Sequence, residues 1–380
     1  MTDHRVTLAR RTFLALAGGA LAGLALPPHV LRALRTELAA GDPPTPQEWD
    51  FVQPRPARQE LWARITAWTP VRANPISGDE LTNQYREETV LPLLEIVEGE
   101  APSWNPNNNR WYRVPDGYIY TATVQLIEPY RMPVELSEMP DMFIDEEPGF
   151  WAEVIVPSTL ARTEPSGPAA ISDFDQRVNL YYGSVHRVIA VEPDEAGFLW
   201  YKLFDDKPKT KPFYALARHM RMISPEALAP INPGAPNKRM EVSLREQRID
   251  CYEGDRLVHS ALMSSGAGGF PTPAGEWSVV YKQPARHMYS GDGSEASGGD
   301  AESDFFDLPG VPFNVFFTTL GHAIHGTWWH GDYGRPRSHG CLNVTPQDAR
   351  WIWRWVEPAS LYTVSAAGSS KEPGTPVIVT

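Results

Sequence analysis

Two tryptophan-centred motifs recur in this chain at a single offset. Trp62-Ala63-Arg64-Ile65 and Trp151-Ala152-Glu153-Val154 lie 89 residues apart, and so do Trp111-Tyr112-Arg113-Val114 and Trp200-Tyr201-Lys202-Leu203. Matches well separated along the chain but held at one spacing mark a duplicated structural unit. Each copy opens with a short alternating run and a Pro-containing turn (Ala73-Asn74-Pro75, Glu164-Pro165-Ser166). An apolar run follows (90–97, 184–191), then the Trp-Tyr segment, then a last run (118–127, 213–223). Short β-rich runs broken by turn residues predict small all-β units.

The order of runs resembles a bacterial SH3-like domain, in which the third strand also carries an early Trp, over residues 58–130 and 149–226. That resemblance implies two small β-barrels, against which the segments 104–110 and 205–212 are irregular insertions. Two readings of these modules stay open: they contact wall glycan or peptide, or they are spacers whose Trp residues are core. Residues 131–148 read as a connector, and 225–236, with four prolines, as the linker into a last domain.

Composition narrows the class. A chain of 380 residues with 13 Trp, 14 Tyr and 14 Phe is long and aromatic enough for several folded units. Its formal net charge of −13 removes the basic footprint that sequence-independent nucleic-acid binding requires. Two cysteines, Cys251 and Cys341, make at most one bridge, so this is no disulfide scaffold.

The first residues read as an address. Arg10-Arg11-Thr12-Phe13-Leu14 leads into apolar and small residues ending at Leu26, a run of about 14 residues. A membrane-spanning helix needs about 20. The pattern resembles a twin-arginine export signal over 1–26, with Ala20-Leu21-Ala22 as cleavage site and 27–57 as linker. An uncleaved anchor remains the alternative. Either way the body of the protein is expected outside the cytoplasmic membrane, which it touches only through this segment.

The chemistry is expected from Met240 onward. A hairpin over 240–256, a strand over 258–264, a Gly/Pro-punctuated loop over 266–277 and a strand over 277–282 precede a long polar excursion, 286–307, read as a lid or binding loop. A buried-type strand over 314–319 follows. Then come His322-Ala323-Ile324-His325-Gly326-Thr327-Trp328-Trp329-His330 and Ser338-His339-Gly340-Cys341-Leu342-Asn343. Thr345 as N-cap, Pro346 at the first helical position and Asp348 in a capping pattern predict a helix. Its buried face is Ala349, Ile352, Trp353 and Val356, and Pro358 stops it. Cys341 therefore lies on a Gly-containing turn between a strand and a capped helix.

A thiol near pKa 8.5 is mostly protonated at neutral pH and needs a base within reach. His325 and His339 are the candidates, and Gly340 lets consecutive backbone N–H groups converge as an oxyanion hole. A zinc site from His322, His325, His330, His339 and Cys341 is the competing use of these residues. It lacks the paired-Cys or His-Glu-x-x-His spacing, so no metal and no cofactor is expected.

The pattern Ile324-His325-Gly326-Thr327, then Ser338-His339-Gly340-Cys341-Leu342-Asn343, resembles the signature of L,D-transpeptidases, the YkuD domain family. The likeness extends to the opening hairpin, to Pro271-Thr272-Pro273-Ala274-Gly275 and to Gly374-Thr375-Pro376-Val377-Ile378, and so covers 238–380. It implies a β-sandwich of mixed sheets acting on peptidoglycan stem peptides as donor and acceptor. It also implies Cys341 as nucleophile, His325 as base, the Gly326 carbonyl as its orienting partner, and backbone N–H groups around His339, Gly340 and Cys341 as the oxyanion hole. Ser338 and Asn343 occupy supporting, substrate-facing positions, although many members carry Arg where this chain has Asn343. Of Trp328 and Trp329, one is expected to wall the substrate site and the other to enter the core, since strand neighbours face opposite ways. Tyr289, with His287 and Met288, is expected to cover the donor site. Three classes follow: an L,D-transpeptidase first, a carboxypeptidase or hydrolase with the same nucleophile second, and a non-catalytic wall-binding protein third.

Overall fold

The structure, a computed structural model, describes residues 61–172, 175–290, 306–368, 372 and 374–380. The expected signal segment 1–26, the linker 27–57, the first residues of the first repeat and most of the 286–307 loop lie outside the described residues. Within them the chain is mainly β, with a single α-helix, Pro346–Trp355, and no helix long and apolar enough to cross a membrane.

The repeat is visible as a shared strand order. In the first module Trp62–Ile65 lies between Val90–Pro92 and Val124–Ile127. A second sheet runs Leu81–Tyr85, Thr69–Arg72, Gly117–Tyr120, Arg110–Val114 and Glu95–Glu98. In the second module Phe150–Val154 likewise lies between an early strand, Val185–Pro193, and the last, Met220–Met222, while Leu199–Phe204 and Phe213–Leu216 extend the sheet. The sequence predicts one continuous last strand per copy. The structure breaks it in both, at the 3-10 turns Thr121–Thr123 and Ala217–His219. The break lets the chain leave the Trp-Tyr strand and pair with the opening strand instead. Trp111, Trp151 and Trp200 are buried packing positions, whereas Trp62 is only partly buried.

The C-terminal segment is a pair of five-stranded mixed sheets. One runs Arg256–Leu262, Arg248–Glu253, Lys238–Ser243, Pro376–Val379, Gly275–Ser278. The other runs Leu342–Val344, Ala323–Gly326, Asp307–Phe316, Tyr281–Tyr289, Ala367–Gly368. Lys238–Ser243 with Pro376–Val379, and Ala323–Gly326 with Leu342–Val344, are the parallel pairs. The hairpin Tyr281–Tyr289/Asp307–Phe316 is longer than the sequence suggests, leaving the connecting loop to begin after Tyr289 rather than at 286. Lys282 and Pro284 are buried in alternation, and a bulge between Arg286 and Met288 shifts the next buried position to His287.

The helix forms as expected. Thr345 Oγ1 accepts the Asp348 N–H at 3.1 Å and donates to the Asp348 carboxylate at 2.6 Å. Ala349, Ile352, Trp353 and Val356 are buried, and Trp355 joins them. Two lysines close its far end: Lys282 Nζ bonds the carbonyls of Trp353 and Val356 (2.6 and 2.9 Å), and Lys238 Nζ bonds that of Trp355 (2.8 Å).

One apolar core runs continuously from the second module into this double sheet, whereas the first module has its own. The two connecting segments are packed rather than free. Tyr130 Oη donates to the Arg218 carbonyl, and Leu136 N–H to Tyr201 Oη, tying 131–148 onto the second module. Residues 225–236 contain a 3-10 turn, Glu226–Leu228, and lie along the helix through Arg350 to the Ala227 carbonyl and Arg354 to the Ala229 carbonyl.

Candidate active site

The register of one parallel strand pair builds the site. Ile324 lies opposite Leu342, His325 opposite Asn343 and Gly326 opposite Val344. Ile324, Leu342 and Val344 enter the core. Strand alternation then turns His325 and Asn343 to the other face, and one step back along the register sets Cys341 beside Ala323 on that same face. His325 and Cys341, sixteen positions apart in the chain, are thereby brought together by two neighbouring strands.

His325 is 3% exposed, with Nδ1 3.2 Å from the Gly326 carbonyl. Burial brings its pKa down to about 4, the Gly326 contact acting the other way. Cys341 is partly exposed, and its Sγ–H points to the Gly321 carbonyl at 3.9 Å. Burial of the sulfur raises its pKa to about 11, against the opposing Ala323 N–H. Thiol and imidazole therefore rest as a neutral pair, with the imidazole unprotonated and competent to accept a proton.

The nucleophile turn is braced from several sides. Ser338 Oγ donates to the Cys341 carbonyl at 2.5 Å and accepts the Gly340 N–H at 3.1 Å. The Gly340 amide is thus already engaged, which removes one of the consecutive donors expected for an oxyanion hole. Thr272 Oγ1 donates to the Gly340 carbonyl at 2.8 Å and accepts the Gly266 N–H at 2.9 Å. Gly340 has φ +106°, and a Cβ there would meet the His322 ring at 2.9 Å. The turn excludes a side chain both by conformation and by space.

The remaining expected residues divide. His339 is exposed, its ring 4.7 Å from that of Phe270 and 5.4 Å from that of Phe306. Trp328 is buried and Trp329 partly exposed, 6.0 Å from the His325 ring, so the pair splits as expected, although both lie in a bend past the strand end at Gly326 and not on the strand itself. Asn343 Nδ2 lies 3.0 Å from His330 Nε2 and is buried. Tyr289 and His287 are not turned over the thiol. His287 is clasped by Asp205 (2.7 Å) and Asp307 (2.5 Å), and the Tyr289 ring lies 5.2 Å from Lys207 Nζ, at the seam with the second module. Neither Thr272 nor Thr318 has a role of its own in the sequence pattern, and His322 and His330 enter it only as zinc ligands. The Pro271-Thr272-Pro273 motif was the available signal for the first of these.

The first module reaches the same region. Asn105 Nδ2 and Asn108 Nδ2 donate to the Tyr333 carbonyl (2.9 and 3.0 Å), and Asn107 Nδ2 to that of Gly334 (3.0 Å). Arg335 stacks over the Trp104 ring at 4.8 Å, and the buried Arg64 donates to the Trp328 carbonyl. These contacts fall on residues 328–337, which separate the two halves of the motif.

Comparison with known proteins agrees with this segment. Residues 237–379 match the YkuD family model, the L,D-transpeptidase catalytic domain. A Bacillus licheniformis protein named as the L,D-transpeptidase YkuD is 28% identical over 120 residues, covering 31% of this chain and 59% of the relative. Among solved structures, an Enterococcus faecium L,D-transpeptidase mutant is 21% identical over 38% of this chain and 50% of its own, with a TM-score of 0.29. A Mycobacterium smegmatis L,D-transpeptidase is 18% identical over 59% of this chain and all of its own, with a TM-score of 0.31. The chain thus spans about three-fifths of the curated relative's length. The resemblance read from the His325 and Cys341 motifs holds over the C-terminal segment.

Proposed function

We propose that this chain is an exported peptidoglycan L,D-transpeptidase in which Cys341 is the nucleophile and His325 the base. The observation that carries the reading is the strand register, which sets the partly exposed thiol and the buried imidazole on one face. The thiol proton passes to His325 as sulfur attacks the carbonyl of the third residue of a donor tetrapeptide stem. The carbon–nitrogen bond to the terminal D-Ala breaks, the amine leaves with that proton, and a thioester remains. An acceptor amine from a second stem then takes the acyl group, giving its proton back through His325. Water in place of that amine gives hydrolysis.

Cys341→Ala tests the assignment. Incubated with a carbapenem, the full chain is expected to gain the mass of one opened β-lactam, and the variant none, with unchanged thermal melting. A mass gain persisting in the variant overturns the reading. With tetrapeptide substrate, dimers mark the transferase and accumulating tripeptides the hydrolase.

A further inference from the structure

The turn Thr318–His322 brings a second imidazole to the nucleophile. The His322 ring lies against Gly340, close enough that a Cβ there would sit 3.1 Å from Nε2. The carbonyl of the preceding residue, Gly321, is the one the thiol faces. His322 is only partly buried and its Nε2 carries no hydrogen bond to the described residues, unlike His325, which is sealed.

The proton position follows from its neighbours. Thr318 Oγ1 accepts the His322 backbone N–H at 3.1 Å and lies 2.9 Å from His322 Nδ1. A hydroxyl has one hydrogen to give, and giving it to Nδ1 uses it. Burial favours the neutral ring, and in the tautomer whose Nδ1 accepts from Thr318 the ring's one hydrogen stands on Nε2. The result is an N–H donor held beside the Gly340–Cys341 peptide. Next to it, the Gly340 amide is occupied by Ser338 Oγ.

We propose that His322 is a further catalytic residue, whose Nε2–H donates to the oxyanion formed when Cys341 attacks the donor carbonyl. The inference rests on the acyl-transfer reading given above. As the sulfur–carbon bond forms, the carbonyl π pair moves onto oxygen, and His322 hydrogen-bonds that oxygen. When the pair returns and the carbon–nitrogen bond breaks, the proton on the leaving amine comes from His325. His322 keeps its own proton throughout. Thr318 is the positioning residue that fixes the tautomer.

Three variants of the full chain test this: His322→Phe keeps a ring against Gly340 without the donor, His322→Gln restores a donor amide, and Thr318→Val releases the tautomer. Acylation of Cys341 by a carbapenem is followed by intact mass, alongside kcat and KM for crosslinking. Loss of one preorganised oxyanion donor costs about 100- to 1000-fold in kcat. His322→Phe is expected to fall in that range with KM within about threefold, and His322→Gln to recover to within about tenfold of wild type. Thr318→Val should lie between them. Melting temperature and iodoacetamide labelling of Cys341 report whether the turn survives. His322→Phe or Thr318→Val at the wild-type rate overturns the inference. So does His322→Gln as slow as His322→Phe with loss of the acid limb of the pH profile, which would make His322 a base. A wild-type chain that no carbapenem acylates at Cys341 overturns the underlying reading instead.

Discussion

Replacing Lys282 by Met should change how stability depends on pH. The ammonium is buried under the last helical turn, facing the carbonyls of Trp353 and Val356. Burial brings its pKa from 10.5 down to about 7, with the Glu357 carboxylate opposing and the Lys238 ammonium reinforcing the shift. A neutral amine has two hydrogens for those two carbonyls, so deprotonation sacrifices neither bond. Between about 7 and 10.5 the unfolded chain holds a proton that the folded chain has released. Stability therefore rises with pH across this window. At about 1.4 kcal/mol per unit of pKa difference, the rise from pH 7 to 9 is about 2 kcal/mol. Met keeps the length and removes the titration, leaving two buried carbonyls unmet at about 1–3 kcal/mol each. Urea unfolding followed by Trp fluorescence at pH 7, 8 and 9 should show Lys282→Met losing ground to wild type by about 2 kcal/mol as pH rises. A wild type-to-variant gap that stays constant over this range refutes the argument.

Arg64→Met should cost about 3–5 kcal/mol, because it strands Glu88, Gln125 and the Trp328 carbonyl, all partners of one buried guanidinium. Amide exchange across residues 328–337 should quicken in this variant, and unchanged exchange would show that the first module does not brace the spacer. For His287, burial favours the neutral form, but hydrogen bonds to Asp205 and Asp307 outweigh it and raise the pKa above 6.5. Its stabilising contribution is therefore complete below pH 6.5 and fades as pH climbs through the raised value. The stability difference between wild type and His287→Gln should shrink from pH 6 to 9, and a difference that grows would contradict the paired geometry.

The layout of the candidate site was legible because its parts are adjacent in sequence or lie in one motif. His325, Gly326, Ser338, Gly340 and Cys341 needed only a strand register to meet, and the helix cap at Thr345 fixes where that register ends. The shared strand order of the two modules follows the Trp motifs at one offset, where opening strands lie between an early and a last strand in each copy. What the chain order could not show is contact between units. The irregular segments 104–110 and 205–212 looked like interruptions of a pattern. In the structure they supply Asn105, Asn107 and Asn108 against the motif spacer, and Asp205 and Asp206 against His287 and Arg286. Polar residues that serve a neighbouring unit have no periodicity of their own. His322 was hidden for a related reason: its role depends on a hydroxyl four residues back and a glycine eighteen residues on.

Those two insertions join units of the described chain. One grips the strip between His325 and Cys341, the other the root of the long hairpin, and the second module shares its core with the double sheet. Beads strung on flexible cord would let a catalytic head sweep through a loose mesh in search of stems. Here side chains of each module are hydrogen-bonded to the next unit, and those of the first module meet the loop that follows His325.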